Sequence, residues 1–263
     1  MYLWKAWHDC RARIGLYILA SVSIGVLCGL EAVTWANWHT YWMTLYRPPR
    51  AVGPRSVFLN YDFYMDITFS MLYRAVLQYG QIGVLLAGLS LGASSTGREY
   101  GAGTMNFVLT RPAPRENFVL TDWTVGLTAM VIIVSGLAFP LLPCLCLIHA
   151  KGPGNVLAGL PALWVLGAAI YGLSHFTTLV AGSASKGLTL SVATVLTYSF
   201  LPTALYEWWH TDALLRATEW TLRGLAYGSW PLSPFDWSVT AFWLAVAAGF
   251  LGASVAWIRF REV

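Results

Sequence analysis

Apolar runs of about 20 residues or more recur along this chain, and a helix of about that length is what it takes to cross the hydrocarbon of a bilayer. The runs fall at roughly 14–35, 67–94, 118–148, 156–181, 188–206 and 237–258. A soluble domain carries about 25% charged residues; here the share is 11%, with 57% hydrophobic residues. Most of the chain must therefore lie where charge is costly. The reading is an all-α, polytopic membrane protein, a single domain over 1–263 with six transmembrane helices. No cleavable leader is evident, because the first run is long and lacks a small-residue cleavage site. A net charge of +4, scattered along the chain, excludes a nucleic-acid surface. Cys10, Cys28, Cys144 and Cys146 give no disulfide framework.

The polar breaks differ in character. Residues 2–13 combine Leu3, Trp7 and Cys10 on one face with Lys5, Asp9, Arg11 and Arg13. They suit an interfacial helix in the headgroup layer, or an ordinary flank that orients the first span. Residues 36–66 form a long loop dense in Trp and Tyr, with Pro48, Pro49 and Pro54. Residues 207–235 form a second long loop, read as one or two interfacial or re-entrant helices. Six spans put both termini on one side. Lys5, Arg11, Arg13, Arg98, Arg111, Arg115, Lys186, Arg259 and Arg261 then share that side, against Arg47, Arg50, Arg55, Lys151, Arg216 and Arg223. The basic excess places both termini in the cytoplasm, in the cell's inner membrane.

Few polar groups fall inside the spans. Glu31, near the far end of the first, either lines a pathway or sits in the hydrated headgroup layer. A central Arg costs about 2.5–3.5 kcal/mol on insertion scales, so Arg74 is expected to snorkel, to pair with Asp62 or Asp66, or to meet substrate. His175 lacks a ligand partner one helical turn away and reads as a hydrogen-bonded interhelical residue. Cys144 and Cys146 are two apart and point opposite ways on a helix, a poor chelate even with His149 nearby. Pro140 and Pro143 should kink the third span near its outer end. Gly25/Gly29 and Gly88/Gly92 are small-xxx-small pairs that permit close helix approach, within the protomer or between copies.

The stretch from Gly88 to Asp122 is the most specific. It begins small and helical, turns polar at Ser94–Glu99, and breaks at Gly101 and Gly103. A short segment, Thr104 to Thr110, follows before Arg111-Pro112-Ala113-Pro114-Arg115. Met105, Val108 and Leu109 share a face, so the segment reads as a short helix along the membrane surface, between spans two and three. Glu99 with Gly103-Thr104, then Leu109, Pro112 and Arg115, resembles the coupling segment of type-two ABC transporter permeases, an export family. The tail Arg259-Phe-Arg261-Glu262 is similar to the family's basic tail. Thr121 stands where the family usually has Lys, with Asp122 after it.

The resemblance implies a permease subunit whose short coupling helix is gripped by a separate ABC ATP-binding subunit. Arg98, Glu99, Gly103, Thr104, Phe107 and Arg115 would carry that coupling. A second copy or a related permease would complete the path, in contact with membrane lipid. ATP would be bound by the partner: a P-loop needs Gly-Lys, and this chain has no such dipeptide. No catalytic, cofactor or metal site is assigned, and the chain is not expected to be an enzyme by itself, since no paired carboxylates, HExxH or serine motif stands at catalytic spacing. The alternative is a non-transporting structural subunit of a respiratory or photosynthetic membrane complex that retains the permease fold, which the aromatic content of 15% would suit.

Overall fold

A computed structural model describes residues 2–45, 61–105, 110, 114–147, 153–209 and 237–260. These form six long helices, with no strand among the described residues: α1 (Tyr2–Leu45), α2 (Tyr61–Gly101), α3 (Glu116–Leu147), α4 (Pro153–Ala181), α5 (Ala184–Trp209) and α6 (Trp237–Phe260). Among the described residues, four helices are long and apolar enough to cross a membrane: Leu3–Thr34, Glu116–Cys144, Leu160–Ala181 and Thr240–Phe260. Six spans were expected; α2 and α5 are helices but lie outside that set of four. The set of four is drawn from the described side chains alone, and those of 61–78 in α2 and of 202–203 and 206–209 in α5 lie outside them.

The expected break between an interfacial helix and the first span is absent. Residues 2–13 continue without interruption into α1, whose 44 residues make a rod of roughly 66 Å, about twice the thickness of hydrocarbon. Nothing in 2–13 breaks a helix: there is no Pro or Gly before Gly15. Likewise the polar Ser94–Glu99 segment is the last turns of α2 rather than loop. The helix α3 runs through Pro140 and Pro143 to Leu147. The expected loop over 36–66 is shorter, since 36–45 close α1 and 61–66 open α2; its remainder, 46–60, the 210–236 part of the second long loop, and most of the segment after Met105 lie outside the described residues.

Helix α4 is the centre of the bundle. Its apolar window is 83% buried, far more than the other three, and it touches α2, α3, α5 and α6. Close approach depends on glycine. A Cβ at Gly92 would lie 2.5 Å from the Tyr171 carbonyl oxygen, so α2 seats directly on α4. A Cβ at Gly25 would lie 2.6 Å from the Leu137 carbonyl oxygen and Pro140 Cγ, and one at Gly29 would lie 2.5 Å from Cys144 Sγ, which seats α1 on α3. Both small-residue pairs therefore pack within the protomer. Outward, the surface is apolar: Leu16, Leu19, Leu27 and Leu30 on α1, Leu190, Leu196 and Phe200 on α5, and Leu244 on α6 are all exposed. Water would penalise such a surface and lipid tails would not. The bundle is built for a membrane.

The helices alternate so that one end of the bundle gathers the start of α1, the end of α2, the start of α3, and the ends of α4 and α6. Cys10, Ile14, Leu91, Met105, Phe118, Leu179 and Ile258 share one apolar cluster there. Arg259 at the close of α6 pairs with Glu116 at the start of α3. That end carries the site described next.

Candidate functional site

The sequence Glu99-Tyr-Gly-Ala-Gly103-Thr104 ends α2 in a defined way. Gly103 has φ +67°, the left-handed conformation in which a side chain is strained. Its N–H donates to the Tyr100 carbonyl at 3.1 Å, and the Thr104 N–H donates to the Glu99 carbonyl at 3.0 Å. These two bonds are the Schellman pattern, and they satisfy carbonyls that the helix end would otherwise leave open. Thr104 then returns a second time, its hydroxyl donating to Glu99 Oε2 at 2.5 Å. The spacing of the Glu and the Gly-Thr pair is thus that of a helix cap locked by its own side chains. Met105 follows, buried in the apolar cluster.

Helix α1 supplies the rest of the shell. Lys5 Nζ donates to Glu99 Oε1 at 2.8 Å, across 94 residues of sequence. Both carboxylate oxygens of Glu99 are therefore engaged. Burial alone pushes this carboxyl up, but the hydrogen bonds from Lys5 and Thr104 and the charges of Lys5 and Arg98 outweigh it and hold it below its ordinary value. Arg98 turns the other way. Its Nε donates to the Ser94 carbonyl at 2.8 Å and its Nη2 to Cys10 Sγ at 2.9 Å, with Nη1 3.6 Å from Asp9 Oδ2. Tyr100 reaches α4, its hydroxyl donating to the Leu179 carbonyl at 3.0 Å. One cap is thus tied to α1 and α4 as well as to its own helix.

Behind this shell lies a cavity of about 20 Å³, lined by Lys5, Asp9, Cys10, Arg98, Glu99 and Asp122 among others. That is room for about one water. Asp122 and Tyr171 form its inner wall, and the Tyr171 hydroxyl donates to the Asp122 carbonyl at 2.8 Å. His175 lies one turn further along α4, its Nε2 3.9 Å from Asp122 Oδ2 and its Nδ1 3.4 Å from Ser254 Oγ on α6. His175 is interhelical, as its sequence setting suggested.

The expected coupling residues divide. Arg98, Glu99, Gly103 and Thr104 come together at the cap. Arg115 stands just before α3, partly buried, its carbonyl accepting the Phe118 N–H. Phe107 lies outside the described residues. Glu31 is exposed on α1, and Arg74 is on α2 with side-chain surroundings outside the described set; each is roughly 40 Å along its helix from the cluster. They are not part of this site. Sequence reasoning passed over Lys5, Asp9 and Cys10 as partners of the cap. In the sequence Asp122 stands only as a departure from the family pattern, and His175 as an isolated residue. Cys144 packs on Gly29, and among the described residues no group of three His, Cys, Asp or Glu side chains could hold a metal. No protein-family model matches the chain, and a search of curated proteins finds no match.

Proposed function

We propose that this chain is the membrane-spanning subunit of an ATP-driven exporter, of the type-two ABC permease kind that its Glu99 to Arg115 stretch resembles. One observation carries the reading. The cap at Glu99–Thr104 is held from three sides, by Lys5 of α1, by its own Schellman turn, and through Tyr100 by α4. A partner that pushed the segment after it would move α1, α2 and α4 together. The segment from Thr104 to Thr110 would be the coupling helix, anchored by Met105. Helices α2 and α5 would complete six spans, with α2 and α5 shielded in part by a second copy or a related subunit. Both termini and the cap would face the cytoplasm of the inner membrane, where an ABC ATP-binding subunit would grip the coupling helix with Phe107, Arg98 and Arg115 nearby. Work would follow from the different affinity of the ATPase's closed and open states for that helix.

Gentle detergent extraction from the native membrane, with mass spectrometry of what stays bound, tests this. An ATP-binding cassette subunit in near-equal amount is expected, and Glu99→Ala should lose it. Recovery with electron-transfer or pigment-binding chains and no ATPase would overturn the exporter reading in favour of a structural subunit.

A further inference from the structure

We propose that Asp122 and His175 form a proton-binding site inside the bundle, taking up one proton from the polar cavity and holding it between Asp122 Oδ2 and His175 Nε2. Both atoms are fully buried and neither has a hydrogen-bond partner. They face each other at 3.9 Å, with side chains 5% and 0% exposed. A buried polar atom without a partner costs about 1–3 kcal/mol, and two such atoms aimed at one another are satisfied together by a single shared proton once the side chains close from 3.9 Å to hydrogen-bond distance. Charge balance points the same way. A carboxylate with a neutral imidazole carries one negative charge inside an apolar bundle; adding one proton makes the pair neutral, and an uncompensated charge there is costly.

The surroundings leave this carboxylate as the unmatched one. On α1 and α2, Lys5 pairs with Glu99 and Asp9 lies beside Arg98, with Cys10 and Ser95 completing the wall. On α4, Tyr171 spends its hydroxyl on the Asp122 backbone. On α6, Ser254 Oγ lies 3.4 Å from the other ring nitrogen of His175 and accepts its N–H in the tautomer that leaves Nε2 a lone pair. Helix α5 meets this end of α4 through Ser191, bonded to Thr177. Glu116, on the same helix as Asp122, is taken by Arg259. The proton's route is short, because Asp122 itself lines the cavity that holds about one water. Uptake brings one proton from bulk solvent, relayed by that water, which gives one proton to Oδ2 and regains one from the solvent side; the Oδ2 O–H then donates to the Nε2 lone pair. No redox partner is needed. The inference is independent of the exporter reading.

Infrared difference spectroscopy of the full chain in lipid, in H2O and D2O, tests it. Expected is a C=O stretch of a protonated carboxyl at neutral pH that shifts in D2O, is abolished in Asp122→Asn, persists in Asp9→Asn, and moves in frequency in His175→Gln as its hydrogen bond changes. A band that survives Asp122→Asn, or no protonated carboxyl at neutral pH, overturns the proposal. Should Asp122→Asn fail to fold, His175→Gln decides alone: an unmoved band means no shared proton.

Discussion

Helix α1 is held at its two ends by opposite means. Near its start, Lys5 donates to Glu99 of α2 at 2.8 Å and Asp9 lies 3.6 Å from Arg98 of α2. Some twenty residues on, Gly25 and Gly29 bring its backbone against α3 so closely that a single added carbon would collide. The first contact is electrostatic and partly wet, with the Lys5 side chain 53% exposed. The second is steric and dry. A steric seat has one geometry and no intermediate state, because packed interiors tolerate little overlap. A charged contact between a flexible Lys and a capped helix end can lengthen, turn to water, and re-form. Cys10 and Ile14 also pack into the apolar cluster at that end, so the charged contact is the part of the hold that can yield. The contrast teaches where movement is permitted: at the cap end of the bundle.

The steric seat should show the largest effect. Gly25→Val would drive two methyls into the Leu137 carbonyl and Pro140, both parts of α3 that cannot rotate away. Forced overpacking costs about 1–3 kcal/mol even for smaller insertions; the expected outcome is loss of monodisperse protein after extraction, read by size-exclusion chromatography. Gly29→Ala should be milder. Its new Cβ meets chiefly Cys144 Sγ, a side chain that can change rotamer, and Gly29→Ala with Cys144→Ala should recover most of the loss in thermal unfolding. If Gly25→Val unfolds no more easily than Gly29→Ala, the seat is not steric.

At the cap end the effects should be smaller and pH-dependent. Glu99→Gln removes the charge but keeps the shape, leaving Lys5 and Thr104 less well matched; about 1–2 kcal/mol is expected. The Glu99 carboxyl lies below its ordinary value of 4.5 in the folded protein. A lowered carboxyl contributes stability that is complete above the unfolded value and is lost as pH falls through the folded one. Wild type should therefore exceed Glu99→Gln in melting temperature at neutral pH, and the two curves should converge as pH falls below about 4.5. A gap that persists unchanged at low pH would mean that the charge is not what Glu99 contributes. Thr104→Val, which removes one hydroxyl bond to the same carboxylate, should cost about 1 kcal/mol and narrow that pH dependence.

How far the sequence shows these features depends on whether each is local. The Glu99-to-Thr104 cap is local: a helix end, a Gly at the left-handed position and a Thr at the next are neighbours in the chain, so the motif is visible in the letters. Helical character was visible too, because apolar runs of this length have few other solutions. Helicity alone does not fix depth: among the described residues four of the six helices are long and apolar enough to span. The partners of the cap were hidden for a different reason. Lys5 is 94 residues from Glu99, and a charge on a Trp-rich helix start has an adequate reading as a headgroup anchor. Asp122 and His175 each looked isolated because their meeting depends on the approach of α3 to α4, which Gly126 allows by leaving room for the Tyr171 ring. Pairing between distant helices is a property of the packing, and periodicity along one helix carries no record of it.

The smallest effect should come from Lys5 itself, and it sharpens the contrast most. Lys5→Met keeps the aliphatic stem and removes the ammonium. The lost pair is half-exposed, and pairs of that kind are worth about 0–1 kcal/mol, less in salt, which screens exposed charges over about 10 Å at 0.1 M. Glu99 keeps its Thr104 bond and the nearby Arg98, so the cap survives. Melting temperature should hardly move, and raising ionic strength should bring wild type down towards Lys5→Met while leaving Gly29→Ala where it was. What should change is motion. A spin-label pair placed on exposed positions Leu3 and Gly101 should report a broader distance distribution in Lys5→Met than in wild type, because the start of α1 has lost its only ion pair to the cap residue Glu99 among the described residues. An unchanged distribution would mean that α1 is held there by Cys10 and Ile14 in the apolar cluster, and that both ends of the rod are fixed by packing after all.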